Sequence, residues 1–308
     1  MTAQQAKEWA ELFAAAPVVI DGGLSTQLER QGEDISGSLW TGRALLENPA
    51  SVEAAHRAYA QAGADVLITA SYQVSRPGFR QAGLTDADAD RALRAATMAA
   101  RAGASEAPRR VRVAASVGPY GAILHDGSEY RGNYGVAHRD LVAFHRERLD
   151  VLVDSGPDLL AVETIPDVDE AAAVAEALHG VPIPAWMAFS AKDGATTCAG
   201  QSIEEAVAAA ESAACVVAVG VNCTDPRHIE ELVTRMRAVT ALPIVVYPNA
   251  GGTWDASTGL WQEPLAHGFA PEAVTAWVAA GADGIGGCCG TDASAITQLA
   301  ENLRGTAP

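Results

Sequence analysis

Short apolar segments alternate with alanine-rich segments eight times along the chain, and this alternation constrains the fold more than any other feature. The apolar segments are continuous runs, which is typical of strands buried on both faces of a parallel sheet. The sequence predicts strands at 18–21, 65–69, 111–117, 158–163, 185–189, 216–222, 243–247 and 283–287. It predicts helices at 49–62, 86–104, 138–155, 167–179, 201–213, 226–239, 271–280 and 292–304.

Eight strand–helix units in strict alternation predict an α/β protein, a single (β/α)8 barrel, rather than an open sheet. An internal repeat supports this prediction, because a helix ends at glycine and aspartate leads into a strand in QAGADVLIT (from 61), DSGPDLLAVE (from 154) and AAGADGIGG (from 279). No linker divides the 308 residues, so we expect one domain over 1–308. The functional site of such a barrel lies at the C-terminal ends of its strands.

The charge balance narrows the range of partners. The chain carries 38 acidic and 21 basic residues, a formal net charge of −17, which disfavours binding to a phosphate backbone. The sequence contains no run of about 18 uncharged apolar residues, which is the length that predicts a membrane span. The N-terminal residues lack the basic and apolar regions of a secretory signal, so we expect a cytoplasmic protein.

Three cysteines fall at predicted strand ends. Cys223 follows the sixth strand, and Cys288 and Cys289 follow the eighth. Adjacent residues of a regular strand point to opposite faces, but the glycines at 286, 287 and 290 allow the backbone to curl. Three thiolates form a natural zinc site with one position left open, as in catalytic zinc sites. The remaining cysteines, Cys198 and Cys215, are expected to be small buried side chains.

Two other chemistries fit parts of the same sequence. Cys288 and Cys289 can form a redox-active vicinal disulfide. Alternatively, Gly284–Gly287 can cradle a phosphate while Lys192, at the fifth strand end, supplies a Schiff-base amine, as in a lyase acting on a sugar phosphate. The lyase interpretation leaves the cysteines unexplained. No histidine falls at a predicted strand end, which disfavours a histidine-rich metal site.

Several motifs together resemble the homocysteine S-methyltransferase family. GVNC (220–223) with GGCCGT (286–291) resembles the zinc-binding signature of that family, and the resemblance extends over nearly the whole chain. It includes DGGLSTQLERQG (21–32), SLW (38–40), ITASYQ (68–73), VETIP (162–166) and YPNAG (247–251). SVGPYGA and DGSEYRG within 116–134 resemble the branch that uses sulfonium donors, S-methylmethionine or S-adenosylmethionine, rather than betaine. No cobalamin-binding module follows the barrel, so we expect no cobalamin.

The resemblance implies a specific reaction. One zinc ion per chain would be held by Cys223, Cys288 and Cys289, and the sulfur of homocysteine would take the fourth position. A free thiol is mostly protonated at neutral pH, whereas a metal-bound thiol is deprotonated. Transfer of a methyl group to that sulfur gives methionine, so the expected role is methionine biosynthesis.

Substrate contacts follow from the same resemblance. Asp21 and Glu163, at the first and fourth strand ends, would bind the ammonium group of homocysteine. The substrate would also contact Gly22, Gly23, Ser25, Thr26 and Asn222. A sulfonium group suits aromatic faces; the tyrosines available to the donor are Tyr72, Tyr120, Tyr130 and Tyr247. The segment 116–134 is expected to cover the site.

Overall fold

Eight parallel strands form the centre of the protein. The computed structural model describes residues 8–9, 11–14, 17–37, 39–251, 254–255, 260–261 and 268–305. The barrel strands are β1 (Val18–Val19), β2 (Val66–Ile68), β3 (Arg112–Val117), β4 (Leu159–Ile165), β5 (Ala185–Phe189), β6 (Val216–Asn222), β7 (Ile244–Tyr247) and β10 (Gly284–Ile285). A separate antiparallel hairpin is formed by β8 (Trp254–Asp255) and β9 (Leu260–Trp261).

Helices follow the strands around the barrel. In chain order, the helices longer than seven residues are α3 (Pro49–Ala62), α5 (Asp86–Ser105), α6 (His138–Asp154), α7 (Val168–Ala177), α8 (Ile203–Glu211), α9 (Ile229–Arg237), α10 (Pro271–Ala280) and α11 (Ala293–Gly305). The shorter ones are α1 (Leu24–Arg30), α2 (Thr41–Glu47) and α4 (Arg76–Gln81). Within the described ranges, no helix is long and apolar enough to cross a membrane.

The order of the strands confirms the predicted (β/α)8 barrel. Hydrogen bonding runs β1-β10-β7-β6-β5-β4-β3-β2, and each neighbouring pair is parallel. A parallel bridge between Ile20 and Val66 joins the first strand to β2. The amide of Asp21 donates to the carbonyl of Val66 at 3.1 Å, and the amide of Asp65 donates to that of Val19 at 2.6 Å. These bonds bring the two ends of the sheet together.

The long helices lie close to their predicted positions because local signals fix their ends. Both α3 and α10 begin with proline in the first turn, where its missing N–H is not needed. Both end at a glycine with φ of 115°, a left-handed conformation that other residues rarely adopt. The short helices α1, α2 and α4 were not predicted. Helices of this length are unstable in isolation, so packing on the barrel rather than local sequence forms them.

Two apolar layers make up the core. One fills the barrel interior and includes Ile20, Trp186 and Tyr247, all fully or nearly fully buried. The second lies between the strands and the surrounding helices. Within the interior layer, the indole N–H of Trp186 donates to the hydroxyl of Tyr247 at 3.1 Å. Tyr247 is the last residue of β7, so the interior layer supports the C-terminal end of the barrel.

A buried polar cluster of Glu170, His145 and Arg148 lies beneath the β3–α6 loop (residues 118–137). Nε2 of His145 lies 2.9 Å from Oε1 of Glu170, and Nδ1 lies 3.1 Å from the guanidinium of Arg148. Burial lowers the pKa of His145, so we assign a neutral ring that donates to Glu170 and accepts from Arg148. Both ring nitrogens of His145 therefore have partners within the cluster, whereas Nε of Arg148 is buried without one.

The same cluster anchors the loop. Glu170 accepts hydrogen bonds from the amide of Tyr120 at 2.5 Å and from the hydroxyl of Tyr134 at 2.8 Å. Arg148 donates to the carbonyls of Gly118 and Tyr72. Buried polar groups of this kind are costly when left unpaired. The position of the loop over the barrel therefore depends on these side chains.

We predict that Arg148→Ala lowers the free energy of unfolding by about 3–5 kcal/mol, because it removes the positive charge near the buried Glu170 carboxylate and takes a donor from two carbonyls. Arg139→Ala on the same helix is the control, since that side chain is 88% exposed, and a change within about 0.5 kcal/mol is expected. Urea denaturation followed by circular dichroism measures both. Equal midpoints for the two variants would contradict this role of Arg148.

Candidate active site

A cavity of about 500 Å³ opens at the C-terminal end of the barrel. Its volume is typical of small-molecule binding sites. Residues from the ends of several strands line it together with residues of the β3–α6 loop. Of the site residues predicted from the sequence, those lining the cavity are Gly22, Gly23, Ser25, Tyr72, Tyr130, Glu163, Asn222, Cys223, Tyr247, Cys288 and Cys289.

The three predicted metal-ligating cysteines lie together in this cavity. The sulfur atoms of Cys223, Cys288 and Cys289 are all within 4.8 Å of one another, a cluster that can hold a metal ion. Cys223 and Cys288 are joined as a disulfide, and Cys289 is a free thiol. The disulfide differs from the vicinal Cys288–Cys289 pair considered above. Metal binding by all three sulfurs therefore requires reduction of this bond.

Backbone geometry turns these side chains into the cavity. Cys223 has φ of 48°, an uncommon value for a residue other than glycine. The turn after Cys288 is closed by a hydrogen bond from the amide of Thr291 to the carbonyl of Cys288 at 3.1 Å, with Gly290 at φ of 80°. Gly290 thus supplies the predicted curl. Gly286 instead allows the backbone to lie close to Asp21, since a Cβ at this position would be 2.7 Å from the carbonyl oxygen of Asp21.

The free thiol of Cys289 has an unfavourable environment for ionisation. Burial raises its pKa to about 11, so the thiol is protonated at neutral pH. A bound cation reverses this preference, because coordination deprotonates a thiol. The chemistry of the sulfur cluster therefore fits a thiolate-bound metal.

Glu163 is a cavity carboxylate with two hydroxyl partners. It is 7% exposed and accepts hydrogen bonds from the hydroxyls of Ser116 and Tyr247. Burial raises its pKa to about 7, although both hydrogen bonds act in the opposite direction. A cationic group bound in the cavity would favour the ionised form.

Asp21 lies behind the cavity wall rather than on it. Its Oδ2 accepts a hydrogen bond from the amide of Ile68 at 2.8 Å, whereas its buried Oδ1 has no partner. Burial raises the pKa of Asp21 well above its ordinary value, and the nearby charge of Glu163 adds to this effect. The two carboxylates are therefore electrostatically coupled, and a cation near Glu163 stabilises both as anions.

Asn222 has two contacts within the protein. Its Oδ1 accepts from the amide of Thr164 at 2.7 Å, and its Nδ2 donates to the hydroxyl of Thr164 at 2.8 Å. Thr164 follows Glu163 and has φ of 59°. A non-glycine residue in this region is strained and needs support from its surroundings. Asn222 thus holds the backbone next to Glu163, a contact that the sequence did not reveal.

Besides Asp21, two predicted site residues, Thr26 and Tyr120, do not line the cavity. The hydroxyl of Thr26 accepts a hydrogen bond from the amide of Gly290 at 3.0 Å and so supports the cysteine turn. The ring of Tyr120 packs against Tyr134 and Phe144, with centroids 5.6 Å and 5.1 Å away. Lys192, the amine of the lyase alternative, is exposed and also outside the cavity.

The structure adds cavity residues that the sequence analysis did not single out. His125 and Glu129 come from the β3–α6 loop, and Trp40 precedes α2 and packs edge-on against Tyr72 at 6.1 Å. Oε2 of Glu129 is buried without a hydrogen-bond partner. The only sequence signal for Glu129 was its position in the DGSEYRG motif, which does not reveal where its side chain points.

We predict that Glu163 contributes a loss of stability to the ligand-free protein as the pH rises from about 4.5 to about 7. The pKa of Glu163 is raised from 4.5 to about 7 on folding, so the unfolded chain releases this proton first and ionisation favours unfolding. The contribution is about 2–3 kcal/mol. Glu163→Gln cannot titrate and should lose this part of the pH dependence. If the free energies of unfolding of the two proteins depended on pH in the same way, the raised pKa of Glu163 would be ruled out.

Comparisons with known proteins agree with this geometry. A family model described as homocysteine S-methyltransferase matches residues 18–303. Homocysteine S-methyltransferase 4 of Zea mays is 43% identical, over 94% of this chain and 90% of its own length. Selenocysteine Se-methyltransferase of Brassica oleracea var. italica is 42% identical, over 92% of this chain and 88% of its own length.

A solved structure extends the similarity to three dimensions. The homocysteine methyltransferase MmuM from Escherichia coli, in its metallated form, matches with a TM-score of 0.84 and 36% identity, over 97% of this chain and 99% of its own. The resemblance found in the sequence motifs is thereby confirmed. The chain belongs to the homocysteine S-methyltransferase family of methyl-transferring enzymes.

Proposed function

We propose that this enzyme transfers a methyl group from a sulfonium donor to homocysteine, with zinc held by Cys223, Cys288 and Cys289. The observation that carries the proposal is the convergence of three sulfurs from β6 and β10 in a cavity that also contains the Glu163 carboxylate. Three cysteine ligands leave one coordination position for a substrate, which is typical of catalytic zinc. When bound, the ion would keep the homocysteine sulfur deprotonated and nucleophilic.

Homocysteine binding is assigned to the carboxylates and to the first turn of α1. Glu163, supported by the unpaired Asp21 behind it, would bind the ammonium group. The first amides of a helix have no acceptor within the helix, so those of Ser25 and Thr26 can bind the substrate carboxylate. The amide of Gly23 already donates to the carbonyl of Thr291 at 2.9 Å. Gly22 and Gly23 would instead keep this wall free of side chains.

The donor is assigned to the aromatic side of the cavity. Tyr72, Tyr130 and Tyr247 line it, and their ring faces would attract a sulfonium cation. Methyl transfer from a sulfonium to a thiolate cancels two charges, so a cavity that excludes water favours the reaction. S-methylmethionine is the preferred donor of this proposal and S-adenosylmethionine the second candidate. Betaine is disfavoured by the sequence of the loop.

The proposed metal site also indicates a compartment. All three thiols must be reduced to bind zinc, and Cys223 is adjacent to Cys288 and readily oxidised to the observed disulfide. Reducing compartments keep such thiols free. We therefore place the enzyme in the cytoplasm.

We predict about one zinc ion per chain in protein purified under reducing conditions. Cys288→Ala should lose the ion and the activity together, because two sulfurs remain where three are needed. Cys198→Ala is the control, since Cys198 is a free cysteine outside the sulfur cluster. Elemental analysis by mass spectrometry with thiol titration measures both. Full zinc retention in Cys288→Ala would refute the ligand assignment.

We predict that Asp21→Asn and Glu163→Gln raise the KM for homocysteine while zinc content stays at the wild-type level. Removing a buried charge partner of the substrate ammonium costs about 2–5 kcal/mol. Glu176→Gln is the control, because that side chain is 61% exposed and lies outside the cavity. Steady-state kinetics with varied homocysteine provide the test. A wild-type KM in both Asp21→Asn and Glu163→Gln would assign these carboxylates another role.

We predict methionine formation with S-methylmethionine, and less or none with betaine, at equal donor concentrations. The physical reason is that the aromatic and acidic cavity favours a compact sulfonium cation that also carries an ammonium group. Chromatographic detection of methionine, with S-adenosylmethionine as a third donor, makes the comparison. Turnover with betaine alone would refute the sulfonium assignment and leave the metal site untouched.

A further inference from the structure

The carboxylate of Glu129 is an unpaired acidic group in the cavity. Glu129 lies in a short 3-10 turn (Ser128–Tyr130) of the β3–α6 loop and lines the cavity. Its Oε2 is buried and accepts no hydrogen bond. A buried carboxylate oxygen is costly unless a donor or a cation satisfies it. A donor or cationic group of a molecule bound in the cavity would supply this partner.

The adjacent cation of the protein is engaged elsewhere. Arg131 is 62% exposed, donates to the hydroxyl of Ser128 at 2.9 Å and reaches Asp126 at 3.4 Å. The carboxylate of Glu129 instead acts on the aromatic side of the cavity. Burial raises the pKa of Tyr72, and the negative charge of Glu129 adds to this rise. Glu129 lines the same cavity as Tyr72 and Tyr130, the rings assigned to the donor.

We propose that Glu129 binds the α-ammonium group of the methyl donor and thereby selects sulfonium compounds that are also α-amino acids. This inference rests on the proposed function, and it adds a specificity-determining residue. S-methylmethionine and S-adenosylmethionine both carry this ammonium group. Betaine has no second cation, so it would leave the Glu129 carboxylate unpaired.

The energetics of methyl transfer favour the ammonium over the sulfonium as the partner. The sulfonium loses its positive charge as the methyl group moves, so a carboxylate next to it would stabilise the substrate more than the transition state. The charge of the ammonium is unchanged by the reaction. A carboxylate there strengthens donor binding without raising the barrier. The uncharged ring faces of Tyr72 and Tyr130 are better suited to the sulfonium.

The two substrates then use separate carboxylates. Glu163 is at the end of β4 and is tied to Ser116 and Tyr247, while Glu129 is on the loop that follows β3. Each substrate brings one ammonium group to the shared cavity. In this proposal Glu163 binds the ammonium group of the acceptor and Glu129 binds that of the donor.

The test is the isosteric variant Glu129→Gln, assayed with saturating homocysteine and varied S-methylmethionine. We expect the donor KM to rise about 10- to 100-fold, since a charged hydrogen bond is lost, with kcat changed by less than about threefold. The homocysteine KM should stay at the wild-type value. The control is Glu176→Gln, which removes a charge at an exposed side chain outside the cavity.

A second donor isolates the ammonium contact. This donor is 4-dimethylsulfoniobutanoate, which is S-methylmethionine without its amino group. With it, kcat/KM should be low and equal for the wild-type enzyme and Glu129→Gln. A larger loss for Glu129→Gln with this donor, an increase in the homocysteine KM, or unchanged kinetics with S-methylmethionine would each overturn the inference. A wild-type enzyme that uses no sulfonium at all would overturn the proposed function as well. The two failures are thus distinguishable.

Discussion

Hydrogen bonds to the C-terminal end of β7 hold the two cysteine-bearing segments together, and the rest of the site depends on them. The amide of Cys223 donates to the carbonyl of Tyr247 at 3.2 Å, and that of Cys288 donates to the carbonyl of Pro248 at 2.8 Å. β7 lies between β6 and β10 in the sheet. Two segments separated by 65 residues in sequence are thereby fixed on either side of one strand.

Close backbone contacts complete this arrangement. The amide of Gly287 donates to the carbonyl of Asp21 at 3.0 Å, and the hydroxyl of Tyr59 lies 2.9 Å from the carbonyls of both Gly23 and Thr291. A side chain at Gly23 would collide with the carbonyl of Cys288. The glycines in both motifs are therefore required because the ends of β1 and β10 touch. The turn that carries Cys288 and Cys289 and the turn at Gly22 and Gly23 form one unit.

The site combines buried carboxylate oxygens that lack partners with residues in an uncommon backbone conformation. Asp21 and Glu129 each have a buried oxygen without a partner, and Thr164 and Cys223 have positive φ values. Such features are usually compensated by the surrounding structure and occur at functional sites. Two substrates with ammonium groups and a divalent cation would neutralise this charge. The cavity is thus better suited to its ligands than to water.

The sequence by itself determined the barrel and the cysteine cluster, whereas tertiary structure decided how the other side chains are used. Apolar runs and helix ends such as Asn48-Pro49 are local signals, and parallel strands of a barrel all end at one rim, so Cys223, Cys288 and Cys289 had to approach one another. The contact of Asn222 with Thr164, the outward position of Tyr120 and the buried carboxylate of Glu129 join residues from different strands and loops. Side-chain direction in a loop depends on long-range packing, and sequence order does not encode it locally.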